Sequence, residues 1–187
     1  MDDSALAEIF AQGRNREDAP PRKVIESLGY SASFISKDRA ADQKWVMRCS
    51  VGMFAGKPGL LNRCVLNLPK TGEAAERLLR LPTATDMLLG TILAWQPEWA
   101  TVQSSEFRNS VSNTSEIPGP TLIGWMTYFS RGAAVIPNVP VHSRRELPEL
   151  GTLLTLTEHP VSALSVEDVR LARTLCEQLR RTGQIPA

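Results

Sequence analysis

Covalent catalysis in this chain would depend on five side chains: Cys49, Cys64, Cys176, His142 and His159. A cysteine attacks a substrate as its thiolate, and a nearby histidine commonly takes up the thiol proton. All three cysteines fall on apolar faces of predicted strands and helices, where burial keeps a thiol protonated and unreactive. We therefore predict that the chain is not an enzyme, with a small cysteine- or serine-dependent enzyme as the alternative.

Ligands for a metal ion or a phosphate group lack the spacing that such sites require. The two histidines are far apart in sequence, and no Cys-x-x-Cys or His-x-x-x-His pair completes a metal site. Gly52, Gly56 and Gly59 follow neither the Gly-x-Gly-x-x-Gly nor the Gly-Lys-Ser/Thr pattern of phosphate-binding loops. The serines of residues 104–120 do not lie in a Gly-x-Ser-x-Gly turn. We expect neither a metal nor an organic cofactor.

The overall charge of the chain is close to neutral. Its 187 residues carry a net charge of +1, with a pI of about 7.7. This balance excludes a strongly basic groove for nucleic acid and an acidic mimic that acts through bulk charge. Arginines do cluster towards the C-terminus, at Arg144, Arg145, Arg170, Arg173, Arg180 and Arg181. No aromatic residue lies between them to stack on bases, so a nucleic-acid-binding regulator is only a second alternative, and no direct nucleic-acid partner is expected.

Apolar segments are too short to cross a membrane. The longest, residues 87–95, is interrupted by Gly90 and Thr91, whereas a spanning helix needs about 20 residues. The first four residues carry two aspartates and lack the positive start of a secretory signal. Three cysteines cannot all pair within one chain, which agrees with a reducing compartment. We expect a cytoplasmic protein without a membrane partner.

Periodicity predicts a mixture of helices and strands without a regular alternation. Helices are predicted at residues 4–12, 22–28, 73–81, 83–95 and 165–183, and strands at 44–54, 61–68, 99–104, 122–130 and 152–157, with a further short strand near Val141. Residues 1–40 form a helical N-terminal segment in this prediction, and residues 104–120 form a long polar loop with room for one helical turn near Phe107. We predict a single α+β domain over residues 1–187, with helices packed on an antiparallel β-sheet.

Two of the cysteines belong to a predicted β-hairpin. A turn centred on Lys57 and Pro58 would place Cys49 opposite Leu66, and Cys64 opposite residue 51. The two cysteines would then be diagonal neighbours about 7–8 Å apart. That distance is too long for an unstrained disulfide, so the hairpin predicts two small buried side chains.

Aromatic residues are the better candidates for binding a partner. Tryptophan and tyrosine concentrate binding energy at protein interfaces, although most tryptophans pack in cores. Trp125 and Tyr128 lie on the strand at 122–130, and Trp99 begins the strand before it. Trp99 and Tyr128 are expected to reach the surface because each has a polar tip that needs a partner. Glu106 and Glu116, in the predicted polar loop, add acidic groups that favour association with a basic partner.

The segment Gly124-Trp125-Met126-Thr127-Tyr128-Phe129-Ser130 resembles the signature of the immunity protein 52 family. Weaker similarities occur in the same order at residues 95–100 (Trp-x-Pro-x-Trp-Ala), at residues 151–154 (Gly-Thr-Leu-Leu) and in the closing helix, which ends in a glycine. Together they cover about residues 90–183. Residues 131–134 depart from the family pattern, since Arg131 is followed by Gly-Ala-Ala instead of a basic or bulky residue.

The resemblance implies an immunity protein, an antitoxin that binds a cognate secreted toxin and neutralises it without turnover. Toxins of this kind typically carry a restriction-endonuclease-like nuclease domain and are delivered by type VI or other contact-dependent secretion. On this hypothesis the toxin-binding residues are Trp99, Glu106, Glu116, Trp125 and Tyr128.

Overall fold

A computed structural model describes residues 3–36, 44–52, 62–112, 123–131 and 140–181 of the chain. The chain divides into two compact units, Met1–Arg77 and Leu78–Ala187. Each unit contains helical structure and an antiparallel sheet, which confirms the predicted α+β class. That both belong to one domain stays a prediction. Within the described ranges, no helix has the length and apolar character to cross a membrane.

In its described residues, the first unit contains a first helix, a 3-10 turn, a three-stranded sheet and most of a second helix, which crosses into the second unit. The elements that lie wholly within it are α1 (Asp3–Gln12), the turn Glu26–Leu28, β1 (Tyr30–Ile35), β2 (Val46–Val51) and β3 (Arg63–Asn67). The central strand β2 pairs antiparallel with both β1 and β3. Gly13 directly follows helix α1, and its N–H donates to the carbonyl of Ile9. The Gly13 carbonyl accepts a hydrogen bond of 2.8 Å from the Ser31 N–H, which links the end of α1 to β1.

Residues 3–36 include a β-strand, whereas the prediction gave this N-terminal segment helices alone. Most of residues 22–28 is not helical, and the single 3-10 turn there leads directly into β1. Gly29 makes the bend between them at φ +58°, a backbone conformation that favours glycine. Tyr30, Ala32 and Phe34 alternate with serines along β1, and this period of two is the signal that the helical reading missed.

The pairing of the predicted hairpin differs from the prediction by two residues. Cys49 lies opposite Cys64, and Leu66 pairs with Met47. A slip of two residues leaves every side chain on its original face, so the hydrophobic pattern alone cannot distinguish the two registers. The predicted turn at residues 56–59 lies outside the described residues.

The second unit contains a four-stranded antiparallel sheet in the order β4-β5-β7-β6. Its elements in chain order are α3 (Leu81–Trp95), β4 (Trp99–Val102), α4 (Ser105–Ser112), β5 (Met126–Ser130), β6 (Ser143–Leu147), β7 (Gly151–Thr155) and α5 (Val166–Arg181). A further helix, α2 (Gly72–Leu78), contains the boundary between the two units.

The described residues of the second unit form a hydrophobic core. Helix α5 contributes a buried stripe, and α3 and α4 add their apolar faces; these residues are Ala172, Leu175, Cys176, Leu179, Ala84, Leu88, Ile92, Phe107 and Val111. The start of α5 is capped, since the Ser165 Oγ accepts a hydrogen bond of 3.2 Å from the Asp168 N–H. Leu164, the residue before this cap, is 94% exposed.

Candidate functional site

Strand β5, which carries most of the segment 124–130, is the most deeply buried strand of the second unit. Residues 126–129 are all buried, although their side chains alternate between the two faces of the sheet. This burial follows from the position of β5 between β4 and β7, with helices in the same core. Both faces of β5 therefore serve packing.

Trp125 is a core residue held by a specific hydrogen bond. Its side chain is 2% exposed, and its indole Nε1–H donates to the carbonyl of Thr157 at 2.9 Å. Its own carbonyl accepts a 2.9 Å hydrogen bond from the Leu156 N–H. A partner cannot reach the indole in this conformation, so Trp125 is better explained as part of the scaffold than as a toxin contact.

The expectation that Tyr128 reaches the surface is wrong. The residue is 2% exposed, and its hydroxyl donates to the carbonyl of Leu150 at 2.9 Å. Burial raises the pKa of this phenol above its usual value. The polar tip finds its partner inside the fold, in the turn between β6 and β7, where Glu149 has a positive φ of 62°. Tyr128 therefore anchors that turn.

Gly124 and Thr127 shape the start of β5, a structural role that their sequence pattern did not reveal. The Gly124 N–H donates to the Thr127 Oγ1 at 3.0 Å, which closes a tight local turn at the start of β5. A Cβ at Gly124 would lie within 3.0 Å of the Thr101 Oγ1, the Val102 carbonyl oxygen and the Gln103 Cβ. The glycine is therefore required by the close approach of the chain beside β4.

Two of the three remaining predicted contact residues, Trp99 and Glu106, lie on β4 and α4. Trp99 pairs with Phe129 of β5 and is half-buried in an edge strand of the sheet. Glu106 is exposed in the first turn of α4, where the Ser104 Oγ caps the helix by accepting a 2.9 Å hydrogen bond from the Phe107 N–H. Glu116 lies outside the described residues. Thus Trp99 and Glu106 lie on consecutive elements of the second unit.

The two edges of the second sheet differ in character. At the β6 edge, four consecutive residues are exposed, and Arg144 and Glu146 form a surface ion pair of 2.9 Å. A hydrogen bond from Thr152 and the neighbouring Arg144 lower the pKa of Glu146. Charged edge strands resist pairing with other chains. Strand β4, at the opposite edge, carries half-buried Trp99 and no charged residue.

Arginines near the C-terminus have structural partners. The Arg173 guanidinium donates to the Ser110 carbonyl at 2.6 Å and so joins α5 to α4. Arg144 is already paired with a carboxylate of its own strand. Arg170 and Arg181 are exposed. The contacts of Arg144 and Arg173 within the protein keep the arginines from forming a continuous cationic face. The arrangement gives little support to a nucleic-acid-binding surface.

Catalytic and metal-binding groups are not brought together in the ranges that the structure describes. Cys176 is 1% exposed, and burial raises its pKa to about 11, which keeps the thiol protonated at neutral pH. His142 and His159 are exposed. No cluster of three or more potential metal ligands occurs among the described residues. Cys49 and Cys64 are free thiols in the first unit.

Comparison with known proteins extends the similarity seen in the sequence. The sequence model of a family described as Immunity protein 52 matches residues 1–187, the whole chain. The match therefore includes the first 40 residues, which carry none of the resemblance noted above. No curated protein is significantly similar in sequence.

Proposed function

The chain belongs to the immunity protein 52 family, and on that premise we propose that it is a cytoplasmic antitoxin that blocks its cognate toxin by occupying the toxin surface. The family match over the whole chain carries this proposal. Membership makes the protein an immunity protein with a cognate toxin as its partner. The proposal adds that inhibition is stoichiometric and involves no turnover, and that the partner is neither nucleic acid nor membrane.

The toxin is proposed to be a restriction-endonuclease-like nuclease that reaches the cell by type VI or another contact-dependent secretion system. A nuclease that binds DNA or RNA needs a cationic groove for the phosphate backbone. An inhibitor of such a groove gains association rate from acidic side chains on its own surface. Glu106, exposed at the start of α4, is an acidic group of this kind in the described part of the chain.

The proposed contact surface, which we term the β4–α4 surface, consists of residues 98–112. It contains the exposed acids Glu98 and Glu106 and the half-buried Trp99. Trp99 offers an aromatic anchor next to a charged rim, which is the composition that binding hot spots favour. Glu116, close by in sequence, is proposed to extend the surface. Trp125 and Tyr128 are buried next to and within β5, the strand that pairs with β4. They are proposed to stabilise this surface without contacting the partner.

Co-expression with a candidate cognate toxin tests the proposal. The wild-type chain is expected to restore growth and to co-purify with the toxin. Glu106→Lys should slow association, with the largest effect at low ionic strength, because salt screens exposed charges beyond about 10 Å at 0.1 M. Glu177→Lys is the matched control, since Glu177 is an exposed glutamate in a helix of the same unit, on α5.

Two results would contradict parts of this proposal. If the exchanges at Glu106 and Glu177 slow association with the toxin equally, only overall charge matters. The β4–α4 surface would then not be the contact surface. If the wild-type chain neither protects the cells nor binds the toxin, it is not the antitoxin for that toxin.

A further inference from the structure

Two thiols of the first unit face each other across neighbouring strands. Cys49 on the central strand β2 pairs directly with Cys64 on β3. Their sulfur atoms are 3.6 Å apart, within reach of a weak S–H···S hydrogen bond. Both residues are free cysteines in this structure.

The backbone geometry of this pair suits a covalent link. Directly opposed residues of antiparallel strands have Cα atoms about 4.5–5.5 Å apart, which lies inside the disulfide range of about 4.4–6.8 Å. Bond formation then requires the two sulfur atoms to approach by side-chain rotation, and the strand pairing can be kept. The predicted register would have placed the cysteines diagonally and would not have allowed the bond.

We propose that Cys49 and Cys64 form an oxidation site at which a peroxide converts the two thiols into a cross-strand disulfide. The Cys64 thiolate attacks one peroxide oxygen, the O–O bond breaks, and Cys64 becomes a sulfenic acid while hydroxide leaves and is protonated to water. The Cys49 sulfur then attacks the Cys64 sulfur. The S–S bond forms, and the sulfenic oxygen leaves as water with the proton of Cys49. Two thiols are oxidised, and one hydrogen peroxide is reduced to two waters.

The order of the two steps follows from the difference in exposure. Cys64 is partly exposed, whereas Cys49 is 4% exposed. Burial, reinforced by the neighbouring Cys64, raises the pKa of Cys49 to about 11. A thiol must be deprotonated and accessible to attack a peroxide in solution. Cys64 therefore reacts first and Cys49 resolves the intermediate.

The bridge would fix the outer strand β3 to the centre of its sheet. The two cysteines are 15 residues apart in sequence, so the disulfide closes a loop between β2 and β3. Loop closure lowers the entropy of the unfolded chain, and the oxidised protein should melt at a higher temperature by several degrees. Cys176, buried in the core of the other unit, is expected to stay reduced.

The test treats the folded full-length protein with hydrogen peroxide and then alkylates the remaining thiols under denaturing conditions. We expect the number of alkylated thiols to fall from three to one, with mass spectrometry locating a peptide joined through Cys49 and Cys64. Dithiothreitol should restore all three thiols. C176S should still form the bridge, and the rise in melting temperature should be absent from C64S.

C49S provides a measurement that does not depend on bridge formation. Without the resolving thiol, the sulfenic acid of Cys64 should accumulate and react with dimedone. The proposal is overturned if both thiols stay alkylated under peroxide, if the disulfide involves Cys176 or a second chain, or if Cys64 of the wild type accumulates as a sulfinic acid without bridging. The site does not depend on toxin binding, and its test uses no toxin.

Discussion

Replacing Gly124 by alanine examines why the segment 124–130 has its sequence. Gly124 lies where the chain enters β5, and an added Cβ would come within 3.0 Å of three atoms of residues 101–103. The Gln103 Cβ, the most distant of the three, would be 2.8 Å away. Ordinary contact begins at 3.4 Å, so even this atom must move back by about 0.6 Å. One of the other two atoms is a backbone oxygen, which cannot move without shifting β4.

The cost of Gly124→Ala combines overpacking with weakened hydrogen bonds. Forcing an extra carbon into a packed interior typically costs about 1–3 kcal/mol. A shift of β4 would also strain the 3.0 Å bond from the Thr101 Oγ1 to the Met126 carbonyl, and a hydrogen bond of this kind contributes about 0.5–1.5 kcal/mol. We expect the free energy of unfolding to fall by about 2–4 kcal/mol.

Denaturant unfolding followed by circular dichroism measures this change, with Gly90→Ala as the matched control. Gly90 is an exposed glycine of α3, and beyond the adjoining residues and backbone of its own helix nothing lies within 4 Å of an added Cβ. Alanine there should stabilise the protein by about 0.5–1 kcal/mol, because glycine is a poor helix former. If Gly124→Ala unfolds at the same denaturant concentration as the wild type, the close approach of β4 does not explain the glycine.

Tyr128→Phe should lower the free energy of unfolding, measured by urea titration, by about 0.5–1.5 kcal/mol. The Leu150 carbonyl loses the hydrogen bond from the phenol but keeps the one from the Arg131 N–H. Since the folded pKa of Tyr128 is raised, the unfolded chain loses the phenol proton first, and stability should decrease as the pH rises above about 10; the phenylalanine variant should lose less. Thr152→Val should raise the lowered pKa of Glu146 towards its usual value, as carboxyl-carbon NMR would show; an unchanged pKa would mean that Arg144 holds it down.

Strong periodicity made several elements predictable from the sequence. Helix α5 has a continuous apolar stripe and a serine cap, and both are present in the structure. The β2–β3 hairpin was also predicted, but its register was wrong because a shift of two residues leaves the pattern of faces unchanged. A short strand was predicted near Val141, and β6 begins close by at Ser143. Its bounds were hard to predict because four exposed residues in succession lack the alternation that marks a half-buried strand.

Contact residues were harder to predict than the fold. Trp125 and Tyr128 combine an apolar body with a polar tip, and the same composition suits an interface and a core. Only the tertiary structure shows that their partners are the carbonyls of Thr157 and Leu150. Both acceptors are more than 20 residues away in sequence, so no local pattern could have identified them.

Titration of the toxin with this protein tests most directly whether it inhibits by binding alone. Purified toxin is mixed with increasing amounts of the chain, and the residual toxin activity is measured after complex formation. Inhibition by binding predicts that activity falls in proportion to the protein added and vanishes when a stoichiometric complex is complete. Loss of all activity at a small fraction of an equivalent would reveal turnover and contradict the account, as would full activity in the presence of excess protein.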